Sequence, residues 1–171
     1  MTMTQALRAA GLIALLLAGA AGAAAAQDED GVAVGSRAPK VVVHDLDGNG
    51  VDLGRSIGVK PVFLEFWATW CELCAQLMPT VEAAHAKYGS RVDFIGVNVS
   101  VNQTRARVRR YVAERKPPFR TLYDDQGVTA RAFRVPTTSY VVIVDRTGKV
   151  VYTGSGGVQD FEAALRQVSA P

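Results

Sequence analysis

The chain holds two cysteines, Cys71 and Cys74, in the run Trp70-Cys71-Glu72-Leu73-Cys74. Two thiols at this spacing can form a reversible disulfide, clamp a soft metal ion, or sit as inert buried side chains. A disulfide that staples a fold usually closes a long loop, and closing two intervening residues constrains the unfolded chain very little. As a disulfide, then, this pair is suited to opening and closing. No histidine lies within ten residues of either cysteine, so whatever activates the thiol must come from elsewhere.

The flanking sequence shows what positions the pair. "PVFLEFWA" (61–68) is an almost continuous apolar run, the pattern of a strand buried on both faces. From Leu73 the pattern turns helical, with Leu73, Leu77, Val81, Ala84 and Tyr88 recurring at three- and four-residue spacing. Pro79 falls inside that helix and is expected to kink it. Cys71 therefore lies where a buried strand hands over to a helix, beside the helix's unpaired N–H groups and the positive end of its dipole. Both favour thiolate, the nucleophilic form. Cys74 falls in the first turn, within reach for a disulfide. The expected mechanism is attack by Cys71 on a partner's disulfide, formation of a mixed disulfide, and its resolution by Cys74.

The rest of the chain supplies a frame. "KVVVHDLDGNGVDL" (40–53) reads as a β-hairpin. Asp45, Asp47, Asn49 and Gly50 imitate the start of a calcium loop, but its twelfth position needs glutamate and carries Ser56. "RVDFIGVNV" (91–99) is a second buried strand, and "TRARVRRYVAERK" (104–116) is an amphipathic helix ended by Pro117 and Pro118. A short extended segment over 119–125, a short helix over 127–133, a hairpin over 139–154 and a helix over 160–168 complete the order. The pattern predicts an α/β fold: a central mixed sheet with helices on both faces and an extra N-terminal hairpin.

Composition is that of one folded domain: 171 residues, 49% hydrophobic and 20% charged. The formal net charge of +3 defines no partner. Residues 1–26 differ in kind, with Arg8 ahead of an apolar run and small residues ending "AAAAQ". Ala24 and Ala26 fit a signal-peptide cleavage site before Gln27. The reading expects a signal peptide over 1–26, a linker over 27–37, a single domain over 38–171, and an extracytoplasmic (periplasmic or secreted) location. An uncleaved segment, nearly long enough to span a bilayer, is the one expected route to a membrane.

The segment "PVFLEFWATWCELC…MP" resembles the active-site segment of the thioredoxin superfamily, and most of all its extracytoplasmic TlpA/ResA-like thiol-disulfide oxidoreductases. The likeness runs over roughly 38–168 and takes in the preceding hairpin, Pro79, "LYDDQGVTARAF" and "VIVDRTGKVVYTGSG". It implies a thioredoxin fold and dithiol–disulfide exchange with protein substrates. Glu65 stands where thioredoxins carry a buried aspartate behind the second cysteine, which implies a role as proton acceptor for Cys74. The lysine that accompanies that acid in thioredoxin falls on Gly96. The ResA-like branch has a glutamate three residues after the second cysteine, and here that residue is Leu77. The family also places a cis-proline opposite the cysteines. Pro136 in "RVPTTSY" is one candidate, but counting forward from Asp124 and back from Gly148 puts Ser139 there. A non-proline cis bond costs about 2.5–4 kcal/mol, so a serine at that position is expected to be trans. The family's proline helps keep metals off the two sulfurs, so its loss favours metal binding.

Other signals are weaker. His44 and His85 have no cysteine or carboxylate at ligand spacing. Arg105, Arg107, Arg109, Arg110, Arg115 and Lys116 form a basic helix, read as a solvated face or a docking surface for an acidic partner, with no nucleic-acid role behind a signal peptide. A peroxiredoxin needs proline and threonine ahead of its cysteine, and no proline lies between Pro61 and Cys71. The leading expectation is a reductase of protein disulfides, with Cys71 and Cys74 catalytic, Glu65 as proton acceptor, and Trp67, Trp70, Ser139 and Pro136 as the active-site wall. It needs no cofactor and draws electrons from an upstream membrane donor. The alternative is a protein that holds copper or zinc on Cys71 and Cys74.

Overall fold

The computed structural model describes residues 31–170. The expected signal peptide, its cleavage site and residues 27–30 of the expected linker lie outside the described residues.

The two buried apolar runs form the centre of one sheet. Strand β3 (Val62–Trp67) is buried at all six positions. It pairs in parallel with β4 (Asp93–Asn98) and antiparallel with β6 (Tyr140–Val144). The expected N-terminal hairpin forms from β1 (Val42–Asp45) and β2 (Gly50–Asp52). The Asp45 carboxylate closes its turn by accepting the N–H groups of Asp47 and Asn49, each at 2.8 Å. This is turn chemistry of the Asx kind. The segment expected to be merely extended becomes a full interior strand, β5 (Arg120–Tyr123), between β4 and β1. With β7 (Val150–Ser155), the sheet runs β2-β1-β5-β4-β3-β6-β7.

Helices cover both faces. Helix α1 (Glu72–Tyr88) connects β3 to β4, and α2 (Arg105–Arg115) connects β4 to β5. Both crossovers step in the same direction through the sheet, so a common handedness puts both on one face. There Leu77, Val81, Val108 and Tyr111 pack with Phe63 and Trp67. Helix α4 (Glu162–Val168) joins them through Leu165, and the Tyr88 hydroxyl donates to Glu162 at 2.6 Å. The other face packs Leu64, Phe66, Ile95 and Val142 against Leu53, Ile57 and Phe133, the last at the end of α3 (Val128–Ala132). Helix α1 continues through Pro79 without a break. Thr104 caps α2 by accepting the Arg107 N–H, and Lys116 ends it in the left-handed conformation just before Pro117.

Residues 31–37, the described part of the expected linker, lie along the β6–β7 hairpin. Gly35 N–H donates to Val150 O, Val150 N–H donates to Ser36 O, and Val32 N–H donates to the Tyr140 hydroxyl. No helix among the described residues is long and apolar enough to cross a membrane.

Candidate active site

Cys71 and Cys74 are joined as a disulfide, with Cα atoms 5.3 Å apart. After β3 the chain makes one tight turn, in which Cys71 N–H donates to Ala68 O, and Cys71 then becomes the N-cap of α1. Its backbone is extended, at φ −81° and ψ 106°, and its Sγ accepts the Cys74 N–H at 3.0 Å. The sulfur thus takes the place of the side-chain oxygen of an ordinary capping serine or aspartate. A negative charge on that atom is stabilised by the donor and by the positive end of the helix dipole. Cys71 is 8% exposed and Cys74 3%, so Cys71 is the more accessible of the two.

The loop after β4 holds the approach to the pair. The Trp70 indole N–H donates to Val101 O at 2.7 Å, and Thr69 N–H donates to the Gln103 side-chain oxygen at 3.0 Å. Trp70 remains 46% exposed, and Leu73 and Val101 are exposed as well. Trp67, by contrast, is buried, its ring 5.3 Å from that of Tyr111. Of the two tryptophans, Trp70 offers surface to a partner, while Trp67 supports the site from inside.

Strand alternation sends Phe63, Glu65 and Trp67 to the face that α1 covers. Glu65 is completely buried, and neither of its oxygens has a hydrogen-bond partner. Burial pushes its pKa from 4.5 up to about 8. Its neighbours across the sheet are Val141 and Gly96. A Cβ on Gly96 would meet the Phe119 ring at 2.3 Å and Trp67 Nε1 at 2.9 Å, so the space a longer side chain would need is already filled. Thr121 pairs with Gly96 from β5, and its hydroxyl, like the Trp67 indole N–H, has no partner. Unsatisfied buried groups of this kind are few in native proteins, and here the two Glu65 oxygens and the Thr121 hydroxyl lie in one row of the sheet, with the Trp67 indole N–H two residues further along β3.

The described residues contain no cis peptide bond. Pro136 is exposed in the loop before β6, whereas Ser139 is fully buried at the residue preceding that strand. Tyr140 pairs with Phe66, so Ser139 lies at the end of β3 from which the cysteine turn departs. Ser139 has φ +60°, a left-handed conformation uncommon outside glycine. Its hydroxyl donates to Gly156 O at 2.9 Å, and its carbonyl accepts from Gly156 N–H and from the Gln159 amide. Gly157 packs against the Gln76 side chain of α1. No sequence motif marks Gln159, because its partner Ser139 lies across a hairpin, whereas Gly156 closes the stretch "VIVDRTGKVVYTGSG" that carries part of the resemblance. The Gly-Gly pair is the one visible signal.

Leu77 is buried under α1. His44 contacts the Asp125 carboxylate at 3.0 Å, a pairing invisible to local spacing, and Arg105 holds the other oxygen of Asp125. Arg109 bonds Leu46 O and Asp47, tying α2 to the N-terminal hairpin. His85 packs edge-on against Phe94. Among the described residues, no three histidine, cysteine, aspartate or glutamate side chains group as a metal-ligand set.

A mixed sheet with a two-residue-spaced disulfide at the start of the helix following its central strand defines a thioredoxin-fold thiol-disulfide oxidoreductase. The chain belongs to the Redoxin family, whose model matches residues 33–168. It is 31% identical over 165 residues to the thiol-disulfide oxidoreductase ResA of Bacillus cereus, covering 92% of this chain and 94% of that protein. It is 29% identical to the thioredoxin-like protein YneN of Bacillus subtilis, covering 91% and 95%. Among solved structures it resembles a thiol:disulfide interchange protein DsbE from Chlorobium tepidum, with TM-score 0.68, 28% identity and coverage of 80% and 94%.

Proposed function

We propose that this protein is an extracytoplasmic reductase of protein disulfides, with Cys71 as nucleophile, Cys74 as resolving thiol and Glu65 as proton acceptor. The observation that carries the reading is the N-cap position of Cys71, whose sulfur receives the Cys74 N–H. In the dithiol form, the Cys71 thiolate attacks one sulfur of a partner disulfide and the other sulfur leaves as a thiolate. The Cys74 thiol gives up its proton and attacks Cys71 Sγ. This reforms the disulfide of the structure and releases the partner's second thiol. A buried carboxylate on the α1 side of β3 is suited to take that proton, and a pKa near 8 makes it a strong base when ionised.

The apolar surface of Trp70, Leu73 and Val101 beside the pair suits protein substrates. The reducing direction and a membrane electron donor are what the resemblance of "PVFLEFWATWCELC…MP" to the TlpA/ResA-like branch implies. The extracytoplasmic location rests on the character of residues 1–26. The metal-holding alternative has only Cys71 and Cys74 to offer as a grouped ligand set among the described residues.

The test is a Cys74→Ser variant expressed with its N-terminal segment and recovered under acid quench. The reading expects mixed disulfides between Cys71 and proteins of the extracytoplasmic fraction, released by dithiothreitol. Absence of any such adduct, together with stoichiometric copper or zinc on the wild-type protein, would overturn it.

A further inference from the structure

The loop between β4 and α2 holds two strained residues. Ser100 and Asn102 have φ +59° and +54°, left-handed positions taken without glycine. Such conformations cost energy, and the surrounding structure must hold them. Ser100 N–H donates to the Asn98 side-chain oxygen at 3.1 Å, and the Ser100 hydroxyl donates to Asp124 O at 2.9 Å. Gln103 N–H donates back to Ser100 O at 3.3 Å. The Tyr123 hydroxyl donates to Gln103 O at 3.1 Å and ties the end of the loop to β5. The loop is therefore fixed at both ends before α2 begins.

This fixed loop grips the cysteine turn. Thr69 N–H donates to the Gln103 side-chain oxygen, and the Trp70 indole N–H donates to Val101 O. Thr69 and Trp70 are the two residues immediately before Cys71. The Gln103 contact is a poor one for stability alone, because Gln103 Nε2 and Thr69 Oγ1 are both buried without a hydrogen-bond partner. A buried amide with one end unpaired gives back much of what its other end gains. Its distinct effect is on position: it fixes the backbone two residues ahead of the Cys71 sulfur.

We propose that Gln103 is a positioning residue that sets the redox equilibrium of Cys71 and Cys74. By holding Thr69 N–H it fixes the turn that ends in the N-cap, and so keeps Cys71 Sγ against the Cys74 N–H. A thiolate gains more from that donor than a neutral disulfide sulfur does. Loosening the turn therefore destabilises the dithiol form more than the disulfide. This inference rests on the reading of Cys71 as the thiolate.

The test takes two readings on the whole protein: the pH midpoint of iodoacetamide alkylation at Cys71, and the equilibrium with glutathione. In the second, protein dithiol and oxidised glutathione exchange for protein disulfide and two reduced glutathiones. Gln103→Met keeps the length of the side chain and removes the acceptor. It is expected to raise the alkylation midpoint by about one pH unit, a roughly tenfold loss of thiolate stability. Above both midpoints, the glutathione equilibrium should move about tenfold towards the protein disulfide, or roughly 30 mV. Tyr123→Phe keeps the ring and frees the Gln103 carbonyl, and should shift both readings the same way by about threefold. Tyr88→Phe loses the hydrogen bond to Glu162 at the far end of α1 and controls for general loosening. It should lower the thermal midpoint but leave both readings within about twofold of wild type, as a distant site would. Glu65, Glu72 and Arg105, the charged groups on the flanking elements, are the same in every variant. Unchanged readings in Gln103→Met, or in Tyr123→Phe should the first variant not fold, would overturn the proposal, as would an equal shift in Tyr88→Phe. Alkylation of the wild type first at Cys74 would instead defeat the reading of Cys71 and this inference with it.

Discussion

Glu65 and Gly96 are register partners across β3 and β4, so the buried carboxyl lies beside a residue with no side chain to pair with it. Phe119 and the Trp67 indole fill the room a cation would need. The carboxyl is left in an apolar layer with its proton as its only compensation, and burial alone drives its pKa to about 8. This one relationship governs both the stability and the expected chemistry of the site.

Stability should follow the Glu65 proton. A raised folded-state pKa means that the protonated group's contribution is complete below about 4.5 and is lost as pH rises through about 8. Glu65→Gln, which stays neutral, should match wild type near pH 4.5. It should become more stable than wild type by on the order of a few kcal/mol by pH 8. Urea unfolding of the oxidised proteins at the two pH values measures the difference. A constant difference across the range would show that Glu65 does not titrate in this window.

Resolution of the mixed disulfide should depend on the same group. In wild type its rate should rise with pH through about 8, the value to which burial brings Glu65. Glu65→Gln should remove that inflection and slow resolution by roughly a hundredfold, the lower range for general-base assistance. Attack by Cys71 should remain unaffected. Rapid-quench analysis of the adduct separates the two steps.

Gly96 should not tolerate a methyl group. Alanine would place its Cβ 2.3 Å from the Phe119 ring, and backbone on both sides fixes the strand. Gly96→Ala should therefore destabilise by about 1–3 kcal/mol through overpacking. Shortening Phe119 to leucine in the same chain should recover part of the loss, which thermal unfolding of the single and double variants will measure.

Ser139 and Pro136 should differ sharply in their tolerance of exchange. Proline fixes φ near −65° and cannot adopt the +60° of Ser139. Ser139→Pro also loses the bond to Gly156 O. It should cost about 3 kcal/mol or more in denaturant unfolding. Pro136→Ala, at an exposed loop position, should change stability by no more than about 0.5 kcal/mol.

The elements that carry the site were legible because their signals are local. The run "VFLEFW" forms a strand covered on both faces, and Leu77, Val81, Ala84 and Tyr88 trace the buried side of a helix, with Cys74 rather than the expected Leu73 beginning that side and Leu73 left exposed. Strand β5 was harder to read, since Arg120–Tyr123 is short and gains its character from β4 and β1 on either side. The cysteine turn could be placed at a strand–helix junction from its neighbours alone. The loop that grips Trp70 and Thr69, the Asp125 carboxylate beside His44, and Gln159 could not be foreseen. Each depends on residues brought together from 20 or more positions away. The division between buried Trp67 and exposed Trp70 was likewise hidden, because two tryptophans three residues apart across a tight turn give no sign of which points inward.

The central claim is that Cys71, capped onto α1, is the thiolate of the pair. The most direct measurement is the pH dependence of iodoacetamide alkylation of the reduced protein, with each modified cysteine assigned by mass spectrometry. The account predicts rapid single alkylation at Cys71, with a midpoint well below the ordinary thiol value of about 8.5, and protection of Cys74 until much higher pH. Alkylation first at Cys74, or equal reactivity of the two at an unshifted midpoint, would contradict it.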